Sequence, residues 1–460
     1  MGQLVTYQLG RLGKRMFTLP EPSGNDIDAR PSKSLFVGMI TRDITIEDAI
    51  MDFVDNSVDQ AKRLEDSKVA DLTSFYIRIE LRRERFLIED NCGGMELEVA
   101  QTRAFRFGRP DDIPSEKGTI GRFGIGMKRA FFKLGRHFNI ISKASASSFT
   151  VDVSVPDWTQ DKYNWSFPVV SPAVIKDKDP SWHGYRVEID QLHDYVAANF
   201  GDGNTPFVNA LETRIRLAHQ AALVSGIEIS INGRRQVAQE PSLLWSNVLQ
   251  PATYQREFAF PDKSPIYCRV TAGLSDPKPQ EAGWYVYCNA RLIARADKSI
   301  ATGWGESSSS SIPQYHNNFA RFRGYVFLDS DDPDLLPWNT TKSALDTNSP
   351  TFTVMRPLII EAARPVLDFL NKLANEAGND VEEQPLTSQV EQATSFRIGA
   401  IPSRVDYLFP SGNVKPTTGR ISFTRPLTQI EKMKEIMGVT RPKEVGETAF
   451  DYYYENEVGE

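Results

Sequence analysis

Four glycines stand between Gly118 and Gly126 in the stretch GTIGRFGIGMKRAFFKLG, which then turns apolar and basic on its way to Gly135. Glycine tolerates positive φ and lets another group approach the backbone closely. A loop this rich in glycine, opening directly into MKRAFFKL, predicts backbone amides gathered at the start of a helix. Such a helix start attracts anions, phosphates above all. A flexible turn also uses glycine, so the loop constrains the fold only in the company of its neighbours.

Those neighbours follow a definite order. TIEDAIMDFVDNSVDQAKRL, from Thr45 to Leu64, places Ile46, Ala49, Ile50, Phe53, Val54 and Ala61 near helical spacing. Thr45 with Asp48 three residues on resembles a capping box. FYIRIELRRERFLIED alternates as two strands around a tight charged turn, and DNCGGM follows at the strand end. A short helix is expected from Glu96 to Phe105, then the glycine loop and its helix, then strands in FNIISKA, SFTVDVSV and GYRVEID. Helix, hairpin, glycine turn, helix, glycine loop, helix and strands make an α+β sandwich, not the regular alternation of a doubly wound sheet.

The expected organisation is an N-terminal arm at 1–34, a first α+β domain at 35–195, a second at 196–376, and a linker with C-terminal extension at 377–460. In the second domain RIRLAHQAAL reads as helix, and GIEISING, PIYCRVTAGL, GWYVYCNARLIAR and RFRGYVFLD read as strands. FTVMRPLIIEAARPVLDFLNKLANEA is the longest helical stretch, with a kink or restart expected near Pro365.

A chain of 460 residues with 40% hydrophobic and 25% charged residues has ample material for such domains. Its formal charge of −7 argues against a generally basic surface for nucleic acid, while leaving room for a local groove. Cys92, Cys268 and Cys288 are too scattered for a disulfide framework or a metal knuckle, so a cytoplasmic protein is expected. The five histidines form no ligand pair at helical spacing, so no zinc site is expected. No apolar run is long enough to span a bilayer.

Three pieces carry chemistry. Asp52 and Asn56, four apart on a helix, share one face and could orient water and hold a hard cation such as Mg²⁺. Taken alone, acidic residues on a helix more often belong to a solvated face. Asp90 ends a strand before a glycine turn and could accept a hydrogen bond from an exocyclic amine, or simply cap the turn. Lys128, just inside the helix after the glycine loop, could meet a phosphate or belong to a basic solvated face with Arg129 and Lys133.

Together, DFVDNSVDQ, EDNCGGM and GTIGRFGIGMKRAF resemble the three ATP-site motifs of the GHKL superfamily, which includes DNA gyrase, heat-shock-90 chaperones, sensor histidine kinases, MutL and MORC proteins. The resemblance covers about residues 35–195 and implies a Bergerat-type ATP-binding sandwich. It implies Asn56 as the Mg²⁺ ligand, Asp90 as the adenine reader, and Gly94 as the point where adenine meets the turn. Gly121, Gly124 and Gly126 would form a lid around the triphosphate, and Met95, Phe123, Ile125, Met127 and Lys128 are carried over as nucleotide contacts. Asp52 stands where hydrolysing members usually carry glutamate; it is one methylene shorter, which implies slow turnover. Asp55 and Asp48 are alternative bases at worse helical phase. Cys92 replaces a usual glycine, and Tyr185 falls where a threonine is usual, so no adenine contact is assigned to it.

The second domain resembles, more loosely, the transducer domain of gyrase, MutL and MORC proteins, with Lys342 in LLPWNTTKSALD as a lysine returned to the γ-phosphate. The arm contains no histidine, unlike the phosphoacceptor helix before a sensor kinase's ATP domain. What the resemblance implies is an ATPase using Mg²⁺ and ATP to drive closure or homodimerisation, acting on DNA or with partner proteins in a bacterial genome-maintenance or phage-defence system. A chaperone-like machine for protein clients and a non-hydrolysing nucleotide-dependent scaffold are the alternatives. Salt-sensitive DNA binding, client protection, or tight ATP binding without turnover would respectively mark the three.

Overall fold

The computed structural model describes residues 31–67, 71–108, 120, 124–175, 183–201, 204–306, 312–376, 384–410 and 421–459. The chain divides into two units, one spanning 1–378 with 386–410 and a smaller one spanning 379–385 with 411–460. No helix among the described residues is long and apolar enough to cross a membrane.

The larger unit opens with helices α1 (Lys33–Arg42) and α2 (Ile46–Asp66). Thr45 caps α2 as expected: its side chain accepts from the Asp48 amide, and Asp48 accepts from the Thr45 amide, both at 3.0 Å. The charged hairpin forms as strands β1 (Tyr76–Arg82) and β2 (Arg85–Asp90). A three-residue helix α3 (Leu97–Val99) runs into a π turn at Ala100–Ala104, and helix α4 (Gly126–Leu134) follows. Strands β3 (Gly135–Lys143), β4 (Ser147–Ser154), β5 (Ala173–Val174) and β6 (Gly184–Leu192) complete the expected segments.

Two further strands, β7 (Glu228–Ile231) and β8 (Arg234–Arg235), extend the same sheet, whose order is β5-β4-β3-β6-β2-β1-β7-β8. The first sheet therefore continues beyond residue 195. The outer edge of β1 carries unpaired backbone groups until β7 pairs with it in parallel, Tyr76 beside Glu228 and Ile79 beside Ile231. The sheet covers α2 and α4 through an aromatic core: Phe53 stacks on Phe86 with centroids 5.6 Å apart, and Phe131 stacks on Phe138 at 4.5 Å.

A second sheet takes the order β10-β11-β14-β12-β13, formed by β10 (Ala252–Phe258), β11 (Ile266–Leu274), β12 (Gly283–Cys288), β13 (Arg291–Asp297) and β14 (Phe322–Asp329). Asn289 and Ala290, both at positive φ, turn β12 into β13. The helix Pro350–Glu376 packs on this sheet as one element through both Pro357 and Pro365, without the restart expected near Pro365. Beyond residue 377, β15 (Thr394–Arg397) pairs with β9 (Ser242–Trp245) within the larger unit. The smaller unit holds helices Leu427–Met437 and Pro442–Tyr453, the first ended by Gly438 at φ +67°.

On the outer side of β3, His137 Nδ1 lies 2.8 Å from Asp190 Oδ1 and Nε2 lies 3.1 Å from Asp152 Oδ1. Burial favours the neutral ring, but the two carboxylates outweigh it and raise the imidazole pKa. A raised folded pKa stabilises fully below the unfolded value and ceases to as pH rises through the folded one. Replacing His137 by Gln is expected to lower stability by about 0.2–1 kcal/mol at pH 5.5, the scale of exposed ion pairs. Thermal unfolding across pH should show that difference vanishing toward pH 9.

Candidate functional site

Four carboxylates of α2, at Asp48, Asp52, Asp55 and Asp59, recur at helical spacing and all four are buried. Each has a partner. Asp48 pairs with Arg214, and Asp59 accepts the Ile120 amide at 2.9 Å, which ties the start of the glycine loop to α2. Asp52 Oδ2 accepts from Arg129 Nε at 2.7 Å, and its Oδ1 lies 3.6 Å from Lys342 Nζ. Asp55 accepts from Arg291 Nε and Lys342 Nζ, each at 2.8 Å, and His219 Nε2 approaches to 3.1 Å.

The spacing by itself could not signal this burial, because the four acids share a face opposite the apolar stripe of Ala49, Ile50, Phe53, Val54 and Ala61, where a solvated face is the ordinary expectation. Burial penalises the Asp55 charge, but Arg291 and Lys342 more than offset that and hold its carboxyl well below the usual range. Burial pushes His219 down to about 4, so it is neutral at pH 7. The same burial works against the Lys342 charge, yet Asp55 and Asp52 raise its pKa. Lys342 also sits at φ +53°, a strained conformation for a side-chain-bearing residue, in a loop held by Asn339 accepting from the Ser343 and Ala344 amides.

A cavity of about 440 Å³ opens over α2, between the end of β2 and the start of α4. Asp52, Asn56, Asp90, Gly94, Met95, Gly124, Ile125, Gly126, Met127, Lys128 and Lys342 line it, so the structure brings these sequence-predicted residues together. Gly121 and Phe123 lie outside the described residues. Asp55 and Asp48 are not among the lining residues.

Asp90 sits on the cavity wall, fully enclosed. Ser57 donates to its Oδ2 at 2.6 Å; the Cys92 and Tyr185 amides donate to Oδ1 at 2.9 and 3.3 Å. Burial raises its pKa to about 6, against the pull of those donors. Cys92 is accommodated with its thiol buried and its amide spent on Asp90. Tyr185 directs its hydroxyl to Met127 Sδ at 3.1 Å.

Gly94 is dictated by its surroundings. At φ +67°, a Cβ there would lie 2.3 Å from the Lys143 carbonyl oxygen and 2.7 Å from that of Gly184. Gly126 serves closeness of another kind: a Cβ would fall 2.8 Å from Asp52 Oδ1, so its absence lets the α4 N-terminus meet the carboxylate.

Lys128 differs from its expected part. Its buried ammonium donates to the carbonyls of Ala104 and Arg106 at 2.7 and 2.6 Å, and burial lowers its pKa to about 7. The lysine thus fastens α4 to the turn after α3, and its charge is directed to those carbonyls. Its neighbour Arg129, for which a solvated basic face was one alternative, is buried on Asp52 and also donates to the Thr340 carbonyl at 3.0 Å.

Residues 44–179 match the family model described as histidine kinase-, DNA gyrase B-, and HSP90-like ATPase. This segment of the chain is a GHKL-superfamily domain, and the match supports ATP as its ligand. A search of curated proteins returned no match.

Proposed function

We propose that the chain binds Mg²⁺-ATP in the cavity over α2 and hydrolyses it slowly, coupling γ-phosphate to the position of the Lys342 loop. The observation that carries the reading is Asp90, enclosed by Ser57, Cys92 and Tyr185 in a cavity that also receives Asn56 and the glycine-opened start of α4. Asp90 would accept from the adenine amine, with Gly94 and Met95 against the ring. The α4 amides after Gly124 would face the phosphates. Asn56, exposed at the cavity wall, offers an amide oxygen of the kind Mg²⁺ takes and would hold it. When bound, the ion neutralises phosphate charge.

Asp52 would take a proton from the water that attacks the γ-phosphorus as the bond to the leaving ADP oxygen breaks. Lys342, now on Asp55 and near Asp52, would transfer to the γ-phosphate and return after hydrolysis, which gives the second sheet and its loops the part of a transducer. Homodimer closure and a DNA client in genome maintenance or defence rest on the family resemblance and belong to the same proposal. A non-hydrolysing switch is the second reading, favoured by the 2.7 Å Asp52–Arg129 pair, which weakens the carboxylate as a base.

Calorimetric titration of ATP into the parent, Asp90→Ala and Asn56→Ala proteins tests the binding reading. Asp90→Ala is expected to weaken ATP by about 10–100-fold, the worth of a hydrogen bond to a charged group. Asn56→Ala is expected to abolish the gain in affinity that Mg²⁺ gives over EDTA. A parent protein that binds no ATP overturns the reading.

A further inference from the structure

One guanidinium touches two parts that the proposed reaction needs in register. Arg129 stands on α4, one turn beyond the glycine-loop opening, and its side chain is buried. Its Nε donates to Asp52 Oδ2 at 2.7 Å and its Nη2 to the Thr340 carbonyl at 3.0 Å. Thr340 lies two residues before Lys342, and both line the cavity with Asp52. The Oδ1 atom of Asp52, which Arg129 leaves open, faces Gly126 and Lys342.

We propose that Arg129 is a positioning residue for ATP hydrolysis, fixing the Asp52 carboxylate and transmitting the place of the Thr340–Lys342 loop to it. This rests on the hydrolysis proposed above. A charge-assisted bond to one carboxylate oxygen sets the plane of the group and therefore where its other oxygen points. A short aspartate gains most from such a setting, since its own reach leaves little room for adjustment. The second donor gives the bond its further meaning. A shift of the Thr340 carbonyl draws on the same rigid fork that holds Asp52, so loop position and carboxylate orientation change together. Only a planar guanidinium can serve both acceptors in fixed relation; an ammonium at the end of a lysine stem cannot.

The test compares ATP affinity, KM and kcat for phosphate release in the parent, Arg129→Lys, Arg129→Ala and Asp52→Asn proteins. Arg129→Lys keeps a buried cation against Asp52 and so retains the fold. It is expected to lower kcat by about 10–100-fold, the cost of a misplaced reacting group. ATP affinity and KM should stay at parental values. Millimolar guanidinium should restore turnover to Arg129→Ala and leave Asp52→Asn unchanged. Should Arg129→Ala fail to fold, the kcat-against-KM split in Arg129→Lys decides alone. Parental kcat in Arg129→Lys, or a loss of kcat matched by an equal loss of ATP affinity, overturns the inference. Turnover lost in Asp52→Asn but intact in Arg129→Lys overturns it while sparing the hydrolysis reading. A parent that binds ATP and releases no phosphate overturns both.

Discussion

Phosphate release by the Asp52→Asn protein is expected to fall by about 10²–10⁴-fold, the usual contribution of a positioned general base, with ATP affinity unchanged. The isosteric amide retains an oxygen for the Arg129 Nε bond, so α2 and α4 stay in contact while the proton acceptor is gone. The neighbouring acids cannot take over. Asp48 is fixed by the Thr45 cap and Arg214, and Asp55 is enclosed by Arg291, Lys342 and His219 away from the cavity lining. Among the lining carboxylates, Asp90 is committed to Ser57 and two backbone amides. Single-turnover phosphate release measured beside nucleotide affinity decides the matter. Equal rates in parent and variant would remove Asp52 from the chemistry. No release from either would leave a nucleotide-locked switch, in which the Arg129 pair keeps the carboxylate from water.

The nucleotide half of the molecule was legible because its determinants are local. A capping box, a charged hairpin and a glycine that two carbonyls would otherwise exclude each leave a mark within a few residues. What joins them was not legible. Arg129 finds Asp52 across 77 residues, Arg291 finds Asp55 across 236, and Lys342 finds Asp55 across 287. Ion pairs at such separations impose no period on the sequence, so a buried arginine and a solvated one read alike. The α2 acids at 48, 52, 55 and 59 are periodic, but they lie opposite the apolar stripe, so their pattern reads as a solvated face although all four are buried.

Strand β7 illustrates a different limit. Its alternation identified a strand, but its partner is chosen by an open edge of β1 about 150 residues earlier in the chain, a matter of tertiary hydrogen bonding. Lys128 shows a third. Position and charge suggested a phosphate contact, whereas the carbonyls of Ala104 and Arg106 lie within reach of its ammonium once α4 folds back over the turn.

The Asp55→Asn protein is expected to be about 3–5 kcal/mol less stable than the parent at pH 7, the cost of breaking a buried ion pair on one side. The asparagine fills the same space but leaves Arg291 enclosed without its counter-charge and Lys342 with only Asp52, 3.6 Å away. His219 adds no third cation there, because burial keeps it neutral down to about pH 4. The pH dependence follows from the direction of the Asp55 shift. A carboxyl whose folded pKa lies below its unfolded value contributes stability that is complete above the unfolded value and fades as pH falls through the folded one. The gap between parent and variant should therefore hold from neutrality to about pH 5 and begin to close near pH 4, where unfolded aspartate takes up its proton. Denaturant unfolding at several pH values checks the sign. A cycle with Lys342→Met then separates the pair from its setting. If Asp55 truly parks the Lys342 charge, removing both should cost less than the sum of the single losses, since no ammonium is then left with Asp52 alone. Strict additivity would mean that the two groups are held independently and that Lys342 is restrained by its loop alone.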